Sequence, residues 1–161
     1  AICTPPPTRT PAQRILICED VQDPGNLGSL MRSARAFGYD TILCSSTGCD
    51  PYHPKVIRAT QGAFFQLNIE RLDLYQRVLK LKHEGWMIVG SALDTNATLD
   101  EVIVPSQHAL IVAHEGQGMS DELRALCTRV VRIDAPHFES LNVAVAGGIL
   151  MHALRNSTTN D

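Results

Sequence analysis

Ser140 and Asn142 stand at the entrance to a run, Val143–Leu154, that is too apolar and too rich in small residues to be anything but a buried helix. Two hydrogen-bonding side chains at such an entrance suit a ligand. Ser140 is placed to cap the helix, and the free amides of a first turn can hold an anion or a polar group. Two further stretches share this design of an apolar run, a glycine-containing polar turn and a helix. One is Ile15–Val21 leading into Asp23-Pro24-Gly25-Asn26; the other is Ala109–Ala113 leading into His114-Glu115-Gly116-Gln117-Gly118. Three such turns in one small chain predict a single composite site. Other chemistries find less support. His114-Glu115 has no second histidine at helical spacing and no cysteine pair nearby, so no metal centre is expected. Gly25-Asn26-Leu27-Gly28 lacks the third glycine of a dinucleotide fingerprint, and no Gly-Lys-Ser/Thr phosphate loop exists.

The elements that must position these turns alternate between strand and helix signals. Strands are expected at Ile15–Glu19, Thr41–Cys44, Phe64–Asn68, Trp86–Val89, Ala109–Ala113 and Val130–Ile133. Helices are expected from Leu27 to about Phe37 with Gly38 as C-cap, at Lys55–Gln61, Leu72–His83, Asp121–Cys127 behind a Ser120 cap, and Ser140–Arg155. Leu99–Val102 is short and ambiguous. This order predicts an α/β fold with a mainly parallel sheet flanked by helices. In such sheets ligands lie beyond the carboxyl ends of the strands, which is where all three polar turns fall.

The totals agree. With 161 residues the chain has one core's worth of sequence. Aromatics make up only 5%, so the core must be Val, Ile, Leu and Ala. The net charge of −3 argues against a strongly basic nucleic-acid binder. It is uneven, however: residues 1–60 carry six Lys/Arg against five Asp/Glu, and residues 61–161 carry eight against twelve. Arg32, Arg35, Lys55 and Arg58 lie near the first turn and form either a local RNA-binding patch or an ordinary solvated face. Five cysteines without a regular framework point to a reducing, cytoplasmic setting, and no run is long enough to span a bilayer. Residues 3–11 are dominated by Pro and Thr, so 1–13 reads as a linker or N-terminal extension and 14–161 as the functional domain.

Taken in order, the motifs resemble those of the SpoU/TrmH branch of the SPOUT RNA methyltransferases. Asp23-Pro24-Gly25-Asn26-Leu27-Gly28 with Arg32 and Ala36-Phe37-Gly38 resembles motif one. His114-Glu115-Gly116-Gln117-Gly118-Met119-Ser120 resembles motif two, and Glu139-Ser140-Leu141-Asn142-Val143-Ala144 resembles motif three. Lys55-Val56-Ile57-Arg58-Ala59-Thr60-Gln61-Gly62-Ala63 resembles the segment after the family's second strand. The resemblance implies a C-terminal deep trefoil knot, a rare exception to unthreaded topology. It also implies a homodimer, S-adenosylmethionine (AdoMet) as methyl donor, and methylation of a ribose 2′-hydroxyl in tRNA or rRNA. By position it makes Arg32 the residue that activates the hydroxyl, supported by Asn26, Glu115, Ser140 and Asn142, with the main chain around Ala113, Gly116, Ile133 and Leu141 holding the cofactor. Arg35, Lys55 and Arg58 would meet RNA.

The chain departs from the family pattern at three places. Ala113 stands where glycine is usual and Ala144 where serine is usual, and Ile133-Asp134-Ala135-Pro136 is one residue short of the usual approach to motif three. Those departures leave a second reading, a knotted RNA-binding or ribosome-assembly protein without turnover. A third is a different small-ligand α/β enzyme.

Overall fold

The computed structural model describes residues 12–137 and 140–156; residues 1–11 of the expected linker, and Glu139 of the third motif, lie outside them. Six parallel strands form one sheet: β1 (Arg14–Glu19), β2 (Thr41–Ser45), β3 (Asn68–Leu72), β4 (Met87–Ser91), β5 (His108–Ala113) and β6 (Arg129–Val131). Their spatial order is β3-β2-β1-β5-β4-β6. Five helices cover it: α1 (Pro24–Ala36), α2 (Pro54–Ala59), α3 (Leu74–His83), α4 (Asp121–Leu126) and α5 (Val143–Asn156). The strands alternate cleanly between two cores, as the period of two requires. Leu16, Cys18, Ile42, Cys44, Leu110 and Val112 pack against α1 and α5. Ile15, Ile17, Leu43, Ile88, Ala109 and Ile111 pack against α3 and α4. Burial on both faces explains why these strands are continuous apolar runs.

The helix ends follow from their caps. Asp23 Oδ1 accepts from the Asn26 N–H (2.8 Å), with Pro24 in the first turn. Gly38 adopts φ +81° after α1, and the Tyr39 N–H returns to Ala34 O (2.8 Å). Ser120 caps α4 as expected.

Two expected elements are corrected. Phe64–Asn68 is not a strand: Gly62, at φ +88°, turns the chain into a 3-10 segment, Ala63–Gln66, and β3 begins only at Asn68. Its Asn-Ile-Glu-Arg-Leu sequence is half-exposed at the sheet edge, so it lacks the apolar signature of the inner strands. The closing helix starts at Val143, not Ser140. Asn142 Oδ1 accepts from the Ala144 and Val145 N–H groups (2.9 and 3.2 Å), and its carbonyl accepts the first helical bond from Ala146 (2.8 Å). Asn142 is therefore the cap, and Ser140 lies upstream of it.

At the other edge the loop leaving β4 folds back onto β6. Thr95 Oγ1 donates to Val130 O (3.2 Å) and the Arg132 N–H donates to Ala97 O (3.0 Å). The chain then crosses to α5, which packs on α1 and β5. Among the described residues no helix is long and apolar enough to cross a membrane.

Below β5 a polar pair is sealed in the core. His108 Nδ1 lies 2.8 Å from Pro105 O, which can only accept, so Nδ1 carries the proton and Nε2 accepts from the Tyr39 hydroxyl (2.8 Å). Burial, with the Arg14 charge adding to it, holds the His108 pKa below its ordinary value, against the opposing pull of the Pro105 carbonyl. The unfolded chain therefore binds this proton at a higher pH than the folded one. The His108 contribution to stability is complete above the ordinary imidazole pKa of about 6.5 and is lost as pH falls below it. Urea unfolding between neutral and mildly acidic pH is expected to show this slope, with His108→Gln flattening it; an unchanged slope would assign it to other groups.

Candidate active site

Beyond the carboxyl ends of β4, β5 and β6 lies a cavity of about 320 Å³. Its walls are three pieces of chain: the end of β4 with Ser91, Ala92 and Leu93, the turn after β5 from Val112 to Glu115, and the segment from Arg132 to Pro136 with Ser140 and Leu141. The base is the first two turns of α5, where Ala146 leaves room. The size is at the lower end of the range for small-molecule sites, roughly 300–1,000 Å³. Ala113, Ile133 and Leu141 all line it, as do Ser140 and Glu115. Gly116 does not. It lies in the adjoining turn, where its N–H and that of Gln117 donate to His114 Nδ1 (2.9 and 3.3 Å).

Glu115 ties the three polar turns together. Its Oε1 accepts from Asn26 Nδ2 (3.2 Å), Asn142 Nδ2 (3.1 Å) and the Val143 N–H (2.9 Å). Asn142 Nδ2 also donates to Asn26 Oδ1 (3.0 Å). A carboxylate at the N-terminus of α5 is favoured by the helix dipole as well as by these donors. Residues 26, 115 and 142 are thus brought together from widely separated places in the chain, and each is held by the other two. With its carboxylate engaged in this way, Glu115 positions the walls of the cavity.

Arg32 is placed differently. It is exposed on α1 and lines no part of the cavity. Its neighbours one turn away are Gly28 and Arg35. At Gly28, α2 approaches so closely that a Cβ would lie 2.8 Å from Val56 O, in contact also with Ala59. Arg35 donates from Nε to Gln66 Oε1 (2.9 Å). Lys55 and Arg58 are exposed on α2.

Two further side chains at the site are given no role of their own by the motifs. Arg132 borders the cavity, and its Nε is buried without a hydrogen-bond partner among the described residues. His114 shapes the turn through the two amides it accepts, although it stands inside a motif whose acid drew the attention.

The pattern of the SpoU rRNA Methylase family matches residues 13–152. The chain belongs to this family. Its relatives include the 23S rRNA (guanosine(2553)-2′-O)-methyltransferase RlmP of Bacillus subtilis, 36% identical over 96% of this chain and 63% of that protein. The mitochondrial rRNA methyltransferase 1 of Homo sapiens is 30% identical over 92% of this chain and 47% of that protein. The chain thus spans less than two thirds of the length of either. Among solved SpoU-type structures, a putative TrmH-family RNA methyltransferase from Porphyromonas gingivalis superposes with a TM-score of 0.85 at 31% identity, covering 94% of this chain and 63% of that one. An AdoMet-bound rRNA methyltransferase from Sinorhizobium meliloti gives 0.82 at 26%, covering 89% and 56%. The six-stranded parallel sheet is the fold of this family.

Proposed function

We propose that residues 14–161 form the catalytic domain of an AdoMet-dependent ribose 2′-O-methyltransferase acting on tRNA or rRNA. The observation that carries this is the cavity walled by the second and third motifs, with Glu115 joining all three motifs around it. The family's named activities and the AdoMet-bound neighbour support the same reading.

The residues present suit AdoMet. Val112, Ile133 and Leu141 give apolar walls for a flat base, Ser140 offers a hydroxyl, and Arg132 Nε, buried without a partner among the described residues, offers a donor for an acceptor group of the ligand. Neither Ala113 nor the shortened 133–136 segment closes the cavity; both are part of its lining. When bound, AdoMet supplies a methyl group already activated on a sulfonium, leaving a neutral thioether. The protein's part is alignment, exclusion of water and handling of the hydroxyl. Arginine is a poor base, so Arg32 acts by donating hydrogen bonds to the acceptor ribose or its phosphate, and the hydroxyl proton leaves to that phosphate or to water. Calorimetric titration of AdoMet should show one site per chain, and Ala146→Trp, which fills the cavity, should abolish the heat. Absence of binding by the unaltered domain would favour the non-catalytic RNA-binding alternative.

We further infer a homodimer. Val145 and Ile149 on α5 are 53% and 41% exposed, an apolar face that symmetric pairing would cover. Pairing also gives Arg32 a place to act, since it is not among the residues that line the cavity of its own chain: the partner's Arg32 would serve this protomer's site. Sedimentation at micromolar concentration should give twice the chain mass. Mixing Arg32→Ala protomers with Ala146→Trp protomers should then restore part of the activity that each lacks; a monomer mass would contradict the arrangement. The return of the 92–98 loop onto β6 supports a trefoil knot here. The unpaired thiols of Cys18, Cys44, Cys49 and Cys127 suit a cytoplasmic setting.

A further inference from the structure

The chain has only eight aromatic residues, four Phe, three Tyr and one Trp, and three of them gather at one place on the surface. Tyr52 and Phe65 are 48% and 61% exposed. Phe64 stands between them, edge-on to both, with ring centroids 5.6 Å from Tyr52 and 5.5 Å from Phe65 at interplanar angles of 81° and 83°. The left-handed Gly62 sets this up by starting the 3-10 segment that buries Ala63 and leaves Phe65 facing solvent. The neighbouring Gln66 is tied to Arg35 on α1, so the segment is anchored to the helix that carries Arg32. Arg32 and Arg35 are one turn apart, on the side of α1 where α2 and the 3-10 segment pack.

An exposed, propped aromatic ring is a binding feature when its surroundings select the occupant. Here they are cationic. Residues 51–66 contain Lys55 and Arg58 and no Asp or Glu, in a chain whose overall charge is −3. Lys55 and Arg58 lie one turn apart and exposed on α2, and Arg35 of α1 is bonded to Gln66 at the end of the 3-10 segment. Rings with π faces beside cations match an unpaired nucleobase and its phosphates. We propose that Phe65, propped by Phe64 and flanked by Tyr52, is a stacking platform for an unpaired RNA base next to the methylated nucleotide, with Lys55, Arg58 and Arg35 holding the adjoining phosphates. The assignment rests on the RNA methyltransferase reading and adds to it the form of the substrate: single-stranded at the target, read by stacking and not by base-edge hydrogen bonds.

The test is a titration of the domain with a short mixed-sequence single-stranded RNA carrying a fluorescent purine analogue, beside calorimetry with AdoMet. The unaltered domain should quench the analogue. Phe65→Ala should weaken RNA binding roughly 5- to 150-fold and abolish the quenching. Phe65→Trp should retain both, and Phe65→Leu, which keeps an apolar side chain without a π face, should behave as the alanine variant does. AdoMet affinity should be the same in all four. Unchanged RNA affinity in Phe65→Ala would overturn the platform and leave the methyltransferase reading intact. Loss of the dimer mass in Phe65→Ala would assign the patch to a second copy of the chain and also overturn it. AdoMet binding without RNA binding by the unaltered domain would overturn the platform together with the RNA half of the functional reading.

Discussion

Arg32→Ala is expected to reduce methyl transfer by at least about a hundredfold, the scale on which removal of one preorganised donor acts on a reaction. AdoMet affinity should stay within a few fold. Arg32 is not among the residues that line the cavity, so its loss should leave the cofactor site largely unchanged. It is exposed on α1, between the approach of α2 at Gly28 and the Arg35–Gln66 bond, where an RNA strand can reach it. Lysine would keep the charge but not the planar fork, so Arg32→Lys should recover little. Single-turnover assays with calorimetry in parallel separate the two quantities. Equal loss of cofactor affinity would place Arg32 on the wrong half of the reaction.

Glu115→Ala should do the reverse and lower AdoMet affinity by an order of magnitude or more. One carboxylate oxygen serves Asn26, Asn142 and the first amide of α5, so removing it frees the motif-two turn from both of the others at once. The walls carrying Ala113 and Leu141 then lose their fixed spacing. The cost in folding stability should be modest, about 1 kcal/mol, because the site is open to solvent and water can replace part of what is lost. Glu115→Gln keeps an acceptor oxygen at the same reach and should recover most of the affinity. If glutamine were as damaging as alanine while affinity and melting behaviour separated, Glu115 would be acting through its charge on the ligand and not through the network.

Most of the fold is legible in the sequence because most of it is determined locally. The buried strands are apolar runs of five or six residues, and the ends of α1 and α4 are written in Asp23, Gly38 and Ser120. The failures share a cause. At Phe64–Asn68 an apolar pair reads as strand, yet its exposure depends on Gly62 and on the tie from Gln66 to α1, a partner 31 residues away. Ser140 and Asn142 are both good caps by type; only the path of the chain around the cavity, fixed by Glu115 from 27 residues upstream, selects Asn142. The motifs were legible as a set, and of the residues they single out Ala113, Ile133 and Leu141 stand on the cavity wall while Gly116 does not. Arg132 could not be singled out. Its neighbours Val131 and Ile133 give no hint that its Nε would be buried, without a partner among the described residues.

On this reading the cavity and Arg32 together deliver a methyl group to a ribose. The most direct test incubates the domain with RNA and AdoMet carrying an isotopically labelled methyl group, digests the RNA to nucleosides and locates the label by mass spectrometry. The label should be found on the ribose 2′-oxygen, and Arg32→Ala should remove it. Label on a base, or no transfer by a domain that binds both AdoMet and RNA, would contradict the account.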